Sequence, residues 1–334
     1  MLTYLSGFIR SFIYYLIVAR QLKRQRKFMA LELKPLLDNA QSHNDGSMDT
    51  DDFKKINLYG LAIPAVLGEA FCSLRGKPMT EKERMSVTCL GGITGLFDDL
   101  FDRKNLSPDY IYQLLQHPSE KNSANINEKL LVKLYTLGLK NSDKPELIKT
   151  YAAKVYEAQL MSLRQNAPGL TRDEITQITF EKGGVSMPLY RCGFGGEIPE
   201  REYNLIYNLG AIGQLENDIF DVYKDHHSGV QTLATTETDI SSQLRTIYEK
   251  QLNKIFGILE ETSFRPRNKK KFRLFVILVV GSGFVCIDQL MRTSKHTQGV
   301  FKPGSYNRKD LICDMQHPFN ILKLLHYAAI YAKK

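Results

Sequence analysis

At 334 residues with 43% hydrophobic content, the chain can build one large packed domain or two small ones. Its net charge of +9 suits nucleic acid, an anionic membrane surface or a phosphorylated substrate, but no zinc-finger or RNP-like signature supports nucleic acid. The five cysteines are odd in number, scattered and without a C-x-x-C pair, which argues against a disulfide framework and a zinc site and fits a reducing, cytoplasmic compartment.

Strand signals are nearly absent while helical periodicity recurs throughout, so the expected fold class is all-α. Met1 to Val18 is rich in Leu, Ile, Phe and Tyr, is interrupted by Arg10, and is followed by the basic cluster Arg20 to Lys27. A secretory signal carries its charge before the apolar run, and a membrane span needs about 20 apolar residues with few charges. The favoured reading is a helix packed on the domain. The alternative is an amphipathic segment over residues 1–27 that associates peripherally with a membrane.

A long helix, or two joined, is expected to run to about Ala40 and to stop in the polar stretch Ser42 to Asp51. Asp52 to Leu74 follows, with a kink at Pro64, which lacks a backbone donor. Thr80 and Glu83 form a capping-box pattern that opens a helix from Glu81 to about Asp102. Ser107-Pro108 starts a short helix, and Asn125 to Leu139 and Pro145 to Gln165 read as two more. Thr171 and Glu174 repeat the capping box ahead of a helix to about Met187, broken by Gly183-Gly184 and Pro188. Gly193 to Gly196 reads as a loop. Pro199 to Asp225 reads as one long helix, and the polar stretch His226 to Thr236 as a flap. Helices at about Asp239 to Glu261, Lys270 to Met291 and Pro318 to Ala332 complete the chain. Leu274 to Ile287 is apolar but too short to span and reads as a buried core helix. With no repeat and no biased linker, a single domain over 1–334 is expected.

Two acidic stretches carry the chemistry. In Gly91 to Asp102, three glycines sit inside a helical pattern at a cost of up to about 1 kcal/mol each, which suits close helix packing. Asp98 and Asp102 share a face, with Asp99 turned about 100° away. In Asn217 to Asp225, Asn217, Asp221 and Asp225 recur every four residues among apolar neighbours, with Asp218 beside them. Carboxylates in such surroundings need water or cations. If the two helices bring both clusters to one rim of a central cavity, their oxygens suit Mg²⁺, a hard cation that commonly shares its ligands with substrate phosphates.

Asp98-Asp99-Leu100-Phe101-Asp102 resembles the aspartate-rich first motif of class I isoprenoid synthases, which comprise terpene cyclases, trans-prenyltransferases and squalene or phytoene synthases. Asn217 to Asp225 resembles the second motif. Against the cyclase pattern N-D-x-x-S-x-x-K-E it matches Asn217, Asp218 and Lys224, with Asp221 for the serine and Asp225 for the glutamate. Against the prenyltransferase pattern F-Q-x-x-D-D-x-x-D, glycine replaces phenylalanine at Gly213 and asparagine replaces the first aspartate at Asn217. Lys182-Gly183-Gly184 resembles the place where these families put a lysine or a helix break beside the diphosphate. The resemblance covers roughly Glu81 to Thr235.

The resemblance implies an antiparallel helical bundle around a central cavity, and an enzyme. Asp98, Asp99, Asp102, Asn217, Asp218, Asp221 and Asp225 would hold several Mg²⁺ ions, with Asp98, Asp99 and Lys224 catalytic. Lys182, Lys224, Arg308 and Tyr306 would contact the diphosphate of an allylic prenyl substrate, the last two as the nearest counterparts of a cyclase Arg-Tyr pair. Phe97, Phe101, Phe180, Tyr190, Tyr207 and Phe220 lie near the motifs and could wall a carbocation. Chain elongation is disfavoured, because Arg103-Lys104 follows the first motif at once and the chain has neither the paired-arginine segment after it nor the Gly-Lys-Arg element before it that prenyltransferases carry. A terpene cyclase is favoured. The D-x-x-x-D spacings Asp98 to Asp102 and Asp221 to Asp225 keep a squalene or phytoene synthase-like coupling enzyme in play. A homodimer is left open, and the alternative outside enzymology is a non-catalytic helical protein that binds a partner or membrane.

Overall fold

Local capping chemistry sets the helix ends. The computed structural model describes residues 2–102 and 106–332, without the side chains of residues 2, 3, 98, 99, 102 and 122. Among the described residues every regular element is a helix and none is a strand. Helices α1 (Leu2–Glu32) and α2 (Lys34–Ser42) join at Leu33, and α3 (Thr50–Ala62) is capped by Asp49, whose carboxylate accepts from the N–H groups of Asp51 and Asp52. The kink expected at Pro64 takes the form of a π-helical turn, Ile63–Gly68, leading into α4 (Glu69–Arg75).

The box expected before α5 (Glu81–Asp102) is present: Thr80 N–H donates to Glu83 Oε2 at 2.8 Å and Glu83 N–H to Thr80 Oγ1 at 3.2 Å. Next come α6 (Pro108–Gln116), α7 (Ile126–Lys140), α8 (Pro145–Ser162), α9 (Arg172–Arg191), α10 (Glu200–Phe220), α11 (Val222–His227) and α12 (Leu233–Thr236). Finally come α13 (Arg245–Glu261), α14 (Pro266–Thr293), α15 (Arg308–Leu311) and α16 (Pro318–Tyr331).

Contacts gather the chain into two compact units, one of residues 16–159 and 188–198, the other of residues 1–15, 160–187 and 199–334. In the first, α3 packs on α5 and α5 on α7. The glycines of α5 do what their spacing suggests: a Cβ on Gly91 would stand 2.8 Å from the Tyr59 carbonyl oxygen, and one on Gly95 2.7 Å from Lys55 Cβ. Near them the buried Arg84 guanidinium donates to Gln25 Oε1 and Glu69 Oε1, both at 2.8 Å, which satisfies a charge otherwise too costly to bury. At the C-terminal part of α5, Phe97 meets Phe101 edge-on at 5.2 Å and Phe101 meets Tyr156 at 5.7 Å.

In the second unit α10 packs against α13 and α14, and α14 against α16. Phe284 of α14 stacks on Tyr327 and Tyr331 of α16, and Tyr248 of α13 donates to the Val280 carbonyl at 2.6 Å. Among the described residues two helical stretches, Thr50–Arg75 and Pro266–Thr297, are long and apolar enough to cross a bilayer, yet 50% and 67% of their apolar windows are buried. The helix around Leu274 to Ile287 is thus longer than its apolar run suggests, and it packs as a core helix.

Two sequence expectations fail here. Helix α9 does not break at Gly183-Gly184 or Pro188 but continues to Arg191. The glycines serve a close crossing instead: a Cβ on Gly183 would lie 2.2 Å from the Gly210 carbonyl oxygen, and one on Gly184 2.5 Å from the Tyr207 ring. Nor is 226–236 a free flap. Leu233 and Ala234 are fully buried, and Gln231 N–H donates to the Gln165 carbonyl at 2.8 Å while Gln165 Nε2 returns a bond of 2.8 Å to the Gln231 carbonyl.

Candidate functional site

The α9–α10 crossing positions the second acidic stretch. Gly183 opposes Gly210 and Gly184 opposes Tyr207, so the helices run antiparallel and the turn of α9 before the glycines faces the end of α10. Thr179, on that turn, donates from Oγ1 to Asp218 Oδ2 at 3.0 Å, and Gln214 Nε2 donates to Asp218 Oδ1 at 2.8 Å. Asp218 is 4% exposed. Burial holds its carboxyl up at about 6, with the charge of Asp221 adding to the rise, against these two hydrogen bonds and the charge of Lys182.

The stretch is not one helix through Asp225. Helix α10 ends at Phe220, Asp221 has φ −90° and ψ 7°, and α11 begins at Val222. Backbone bonds still step across the break, from Asp221 N–H to the Asn217 carbonyl at 2.9 Å and from Asp225 N–H to the Asp221 carbonyl at 2.8 Å. The break matters for which groups meet. Asn217 is exposed and reaches Asp221 Oδ2 only at 3.5 Å, whereas the negative charges that act on Asp225 are those of Asp218 and Asp221. Asp225 is pushed up to about 7, by burial first and then by the negative charges of Asp218 and Asp221, against Lys224 and Lys182.

Two carboxyls held up by burial and by the negative charge of Asp221, with Lys182 of the neighbouring helix acting on both, form a site suited to a cation or to protons. Lys224 is mostly exposed and stands 3.8 Å from Asp221 Oδ2. Arg308 is exposed, with its guanidinium 6.0 Å from the Tyr223 ring on α11. Tyr306 stacks on Phe301 at 5.4 Å and shares a hydrogen bond with Thr297. His226 and His227 are exposed on α11, His227 Nδ1 lying 2.8 Å from the Tyr223 carbonyl oxygen.

The first motif stands differently. Helix α5 carries it at its C-terminal end as expected, but the side chains of Asp98, Asp99 and Asp102, and all of Arg103 and Lys104, lie outside the described residues. Among the described residues no group of three or more His, Cys, Asp or Glu side chains is gathered tightly enough to hold one ion. Mg²⁺ commonly takes one or two carboxylates and completes its octahedron with water and phosphate, so the oxygen donors of Asp218, Asp221 and Asp225 fit it without such a cage. Sequence reasoning missed Thr179. Its signal was its place four residues before Gly183, on the face that meets α10.

No family model matches the chain, and no curated protein matches it. Among solved structures, the chain is similar to a dehydrosqualene synthase crystallised with a ligand, at 16% identity over 85% of this chain and 98% of that one, with a TM-score of 0.46. At that level the likeness says nothing about chemistry.

Proposed function

We propose that the protein is a Mg²⁺-dependent class I isoprenoid synthase that ionises an allylic prenyl diphosphate. The observation that carries the reading is the cluster of Asp218, Asp221 and Asp225 with Lys182 beside it, each of whose members answers to the second motif of that superfamily or to its diphosphate lysine. By the same resemblance Asp98, Asp99 and Asp102 would be the first set of cation ligands, and Asn217 would belong to the second. Bound there, Mg²⁺ would neutralise the diphosphate and make it a better leaving group.

The chain's own residues supply the rest. Lys182 and Lys224 would hold diphosphate oxygens, with Arg308 closing from α15, and Tyr306 would join them by exchanging Thr297 for substrate. Departure of the diphosphate leaves an allylic cation, which aromatic faces stabilise by about 0.5–2 kcal/mol each. Excluding water from the cation would prevent premature quenching.

The cation can close on its own chain, as in a terpene cyclase, or couple to a second prenyl chain. Asp221 and Asp225 favour coupling. They are carboxylates one turn apart across a 2.8 Å backbone bond, in the D-x-x-x-D spacing of the squalene and phytoene branch, where a cyclase has Ser and Glu. Purified full-length protein incubated with Mg²⁺ and allylic diphosphates of increasing chain length tests both. A doubled chain supports coupling, a cyclic hydrocarbon or alcohol supports cyclisation, and no Mg²⁺-dependent diphosphate release from any of them rules out both.

A further inference from the structure

Helix α1 turns apolar side chains outward. Leu5, Ile9, Phe12, Ile13 and Leu16 are 47% to 54% exposed, and their spacing puts them within about 100° of one another around the helix. This is not a helix hanging loose. On its other side Ser11 is fully buried, a Cβ on Gly7 would stand 3.1 Å from the Ala329 carbonyl oxygen, and the Tyr4 hydroxyl bonds the His326 ring at 2.6 Å. Tyr14 meets Phe275 of α14 edge-on at 5.5 Å. One face is thus anchored on α14 and α16 while the opposite face is left greasy.

The same outward face then changes character. Continuing at helical spacing past Leu16, it presents Arg20, Lys23, Arg24 and Lys27, all exposed, and α1 carries no acidic residue before Glu32. A second basic group joins it from another element. It lies at the start of α14, the helix on which Tyr14 anchors α1: Arg265 at the N-cap and Arg267 and Lys270 in the first turns are exposed, and the charge of Arg267 acts on Tyr14. Helix α16, tied to α1 through His326, adds exposed Phe319 and Leu322.

We propose that this face docks the protein on a bilayer that carries anionic lipid headgroups. A narrow apolar stripe running into a field of cations matches the two layers such a surface offers: acyl chains for Leu5, Ile9, Phe12 and Ile13, and phosphates for the arginines and lysines. A second copy of the chain is a poorer occupant, since a symmetric contact sets like charges against each other. Nucleic acid would leave the apolar stripe uncovered.

The test is co-sedimentation of the full chain with phosphatidylcholine vesicles, with and without phosphatidylglycerol. Binding is expected to rise at least about tenfold with the anionic lipid. The variant Leu5→Gln/Ile9→Gln/Phe12→Gln/Ile13→Gln should lose about tenfold or more at any salt. Arg20→Gln/Lys23→Gln/Arg24→Gln/Lys27→Gln should bind pure phosphatidylcholine as the parent does but lose the gain from phosphatidylglycerol. Circular dichroism of both should match the parent, and if the first variant fails to fold, the second decides alone. Equal binding to both vesicles, or unchanged binding by the basic variant, overturns the proposal. So does a stripe variant whose only effect is to convert a dimer to a monomer in sedimentation velocity. None of these outcomes depends on the reaction proposed above.

Discussion

Thr179 on α9 donates a 3.0 Å hydrogen bond to the buried carboxylate of Asp218 on α10, and this bond ties the proposed diphosphate lysine, one turn along α9, to the acidic cluster. Burial and neighbouring negative charge both work against ionised Asp218 and Asp225, so the metal-free cluster costs stability. Asp218→Asn is therefore expected to abolish turnover while leaving the metal-free protein as stable as the parent or more so, since the amide oxygen can still accept from Thr179 or Gln214. Thr179→Val should lower stability by about 1 kcal/mol and weaken Mg²⁺ binding without abolishing it. Urea denaturation beside Mg²⁺ titration reads both. An Asp218→Asn protein that is destabilised yet, while folded, binds Mg²⁺ as the parent does would make the cluster structural.

The α9–α10 crossing has a built-in control. Gly183→Ala would put a methyl 2.2 Å from the Gly210 carbonyl oxygen, whereas Gly213→Ala, three residues further along α10, meets nothing within 4 Å. The first should cost about 1–3 kcal/mol and displace Lys182 and Thr179 from Asp218, lowering activity as well. The second should be neutral or stabilise by about 0.5–1 kcal/mol. Thermal melts of the pair distinguish a close crossing from a helix break, for which the two alanines would behave alike.

Metal-free stability should depend on pH through Asp218 and Asp225. Their folded pKa values, about 6 and about 7, lie above the ordinary value of 3.8, so between these limits the folded protein holds more protons than the unfolded chain. Their contribution is fully present below about pH 4 and is lost as pH rises through about 7. Saturating Mg²⁺ should remove this loss, because it stabilises the ionised form and adds binding free energy to the folded state. Denaturation midpoints between pH 5 and 8, with and without Mg²⁺, check it, and a stability that rises over this range in both conditions would speak against the cluster.

In the other unit the sign reverses. Burial tends to raise the Glu83 carboxyl, but the Arg75 guanidinium, bound at 2.5 Å and 2.7 Å, and the Thr80 cap outweigh it and hold the group at about 2, below its usual 4.5. This contribution is present above about pH 4.5 and is lost as pH falls toward 2. Glu83→Gln is expected to cost about 1–3 kcal/mol at neutral pH and to flatten the acid limb of the stability profile. Acid titration of the variant by circular dichroism measures that limb.

Much of the molecule is legible in the sequence wherever the determinant is local. The capping boxes at Thr80 and Thr171, the caps at Ser107 and Asn125, and the close packing of α5 through its glycines follow from residue type and spacing alone. What is not local was misread. Gly183-Gly184 looks like a helix break because glycine is a poor helix former, but the crossing with Gly210 and Tyr207 overrides propensity. A strict four-residue stripe through Asn217, Asp221 and Asp225 assumes an unbroken helix. The break at Asp221 interrupts it, and on α10 itself Asn217 is exposed while buried Asp218 is the inward member.

The most direct measurement is Mg²⁺-dependent release of diphosphate from an allylic prenyl diphosphate, compared between the parent and Asp225→Asn. The parent should release diphosphate only with Mg²⁺ present, and Asp225→Asn should lose about 100-fold or more at unchanged fold. Equal rates for the two proteins, or no Mg²⁺-dependent release by the parent from any chain length, would contradict the account.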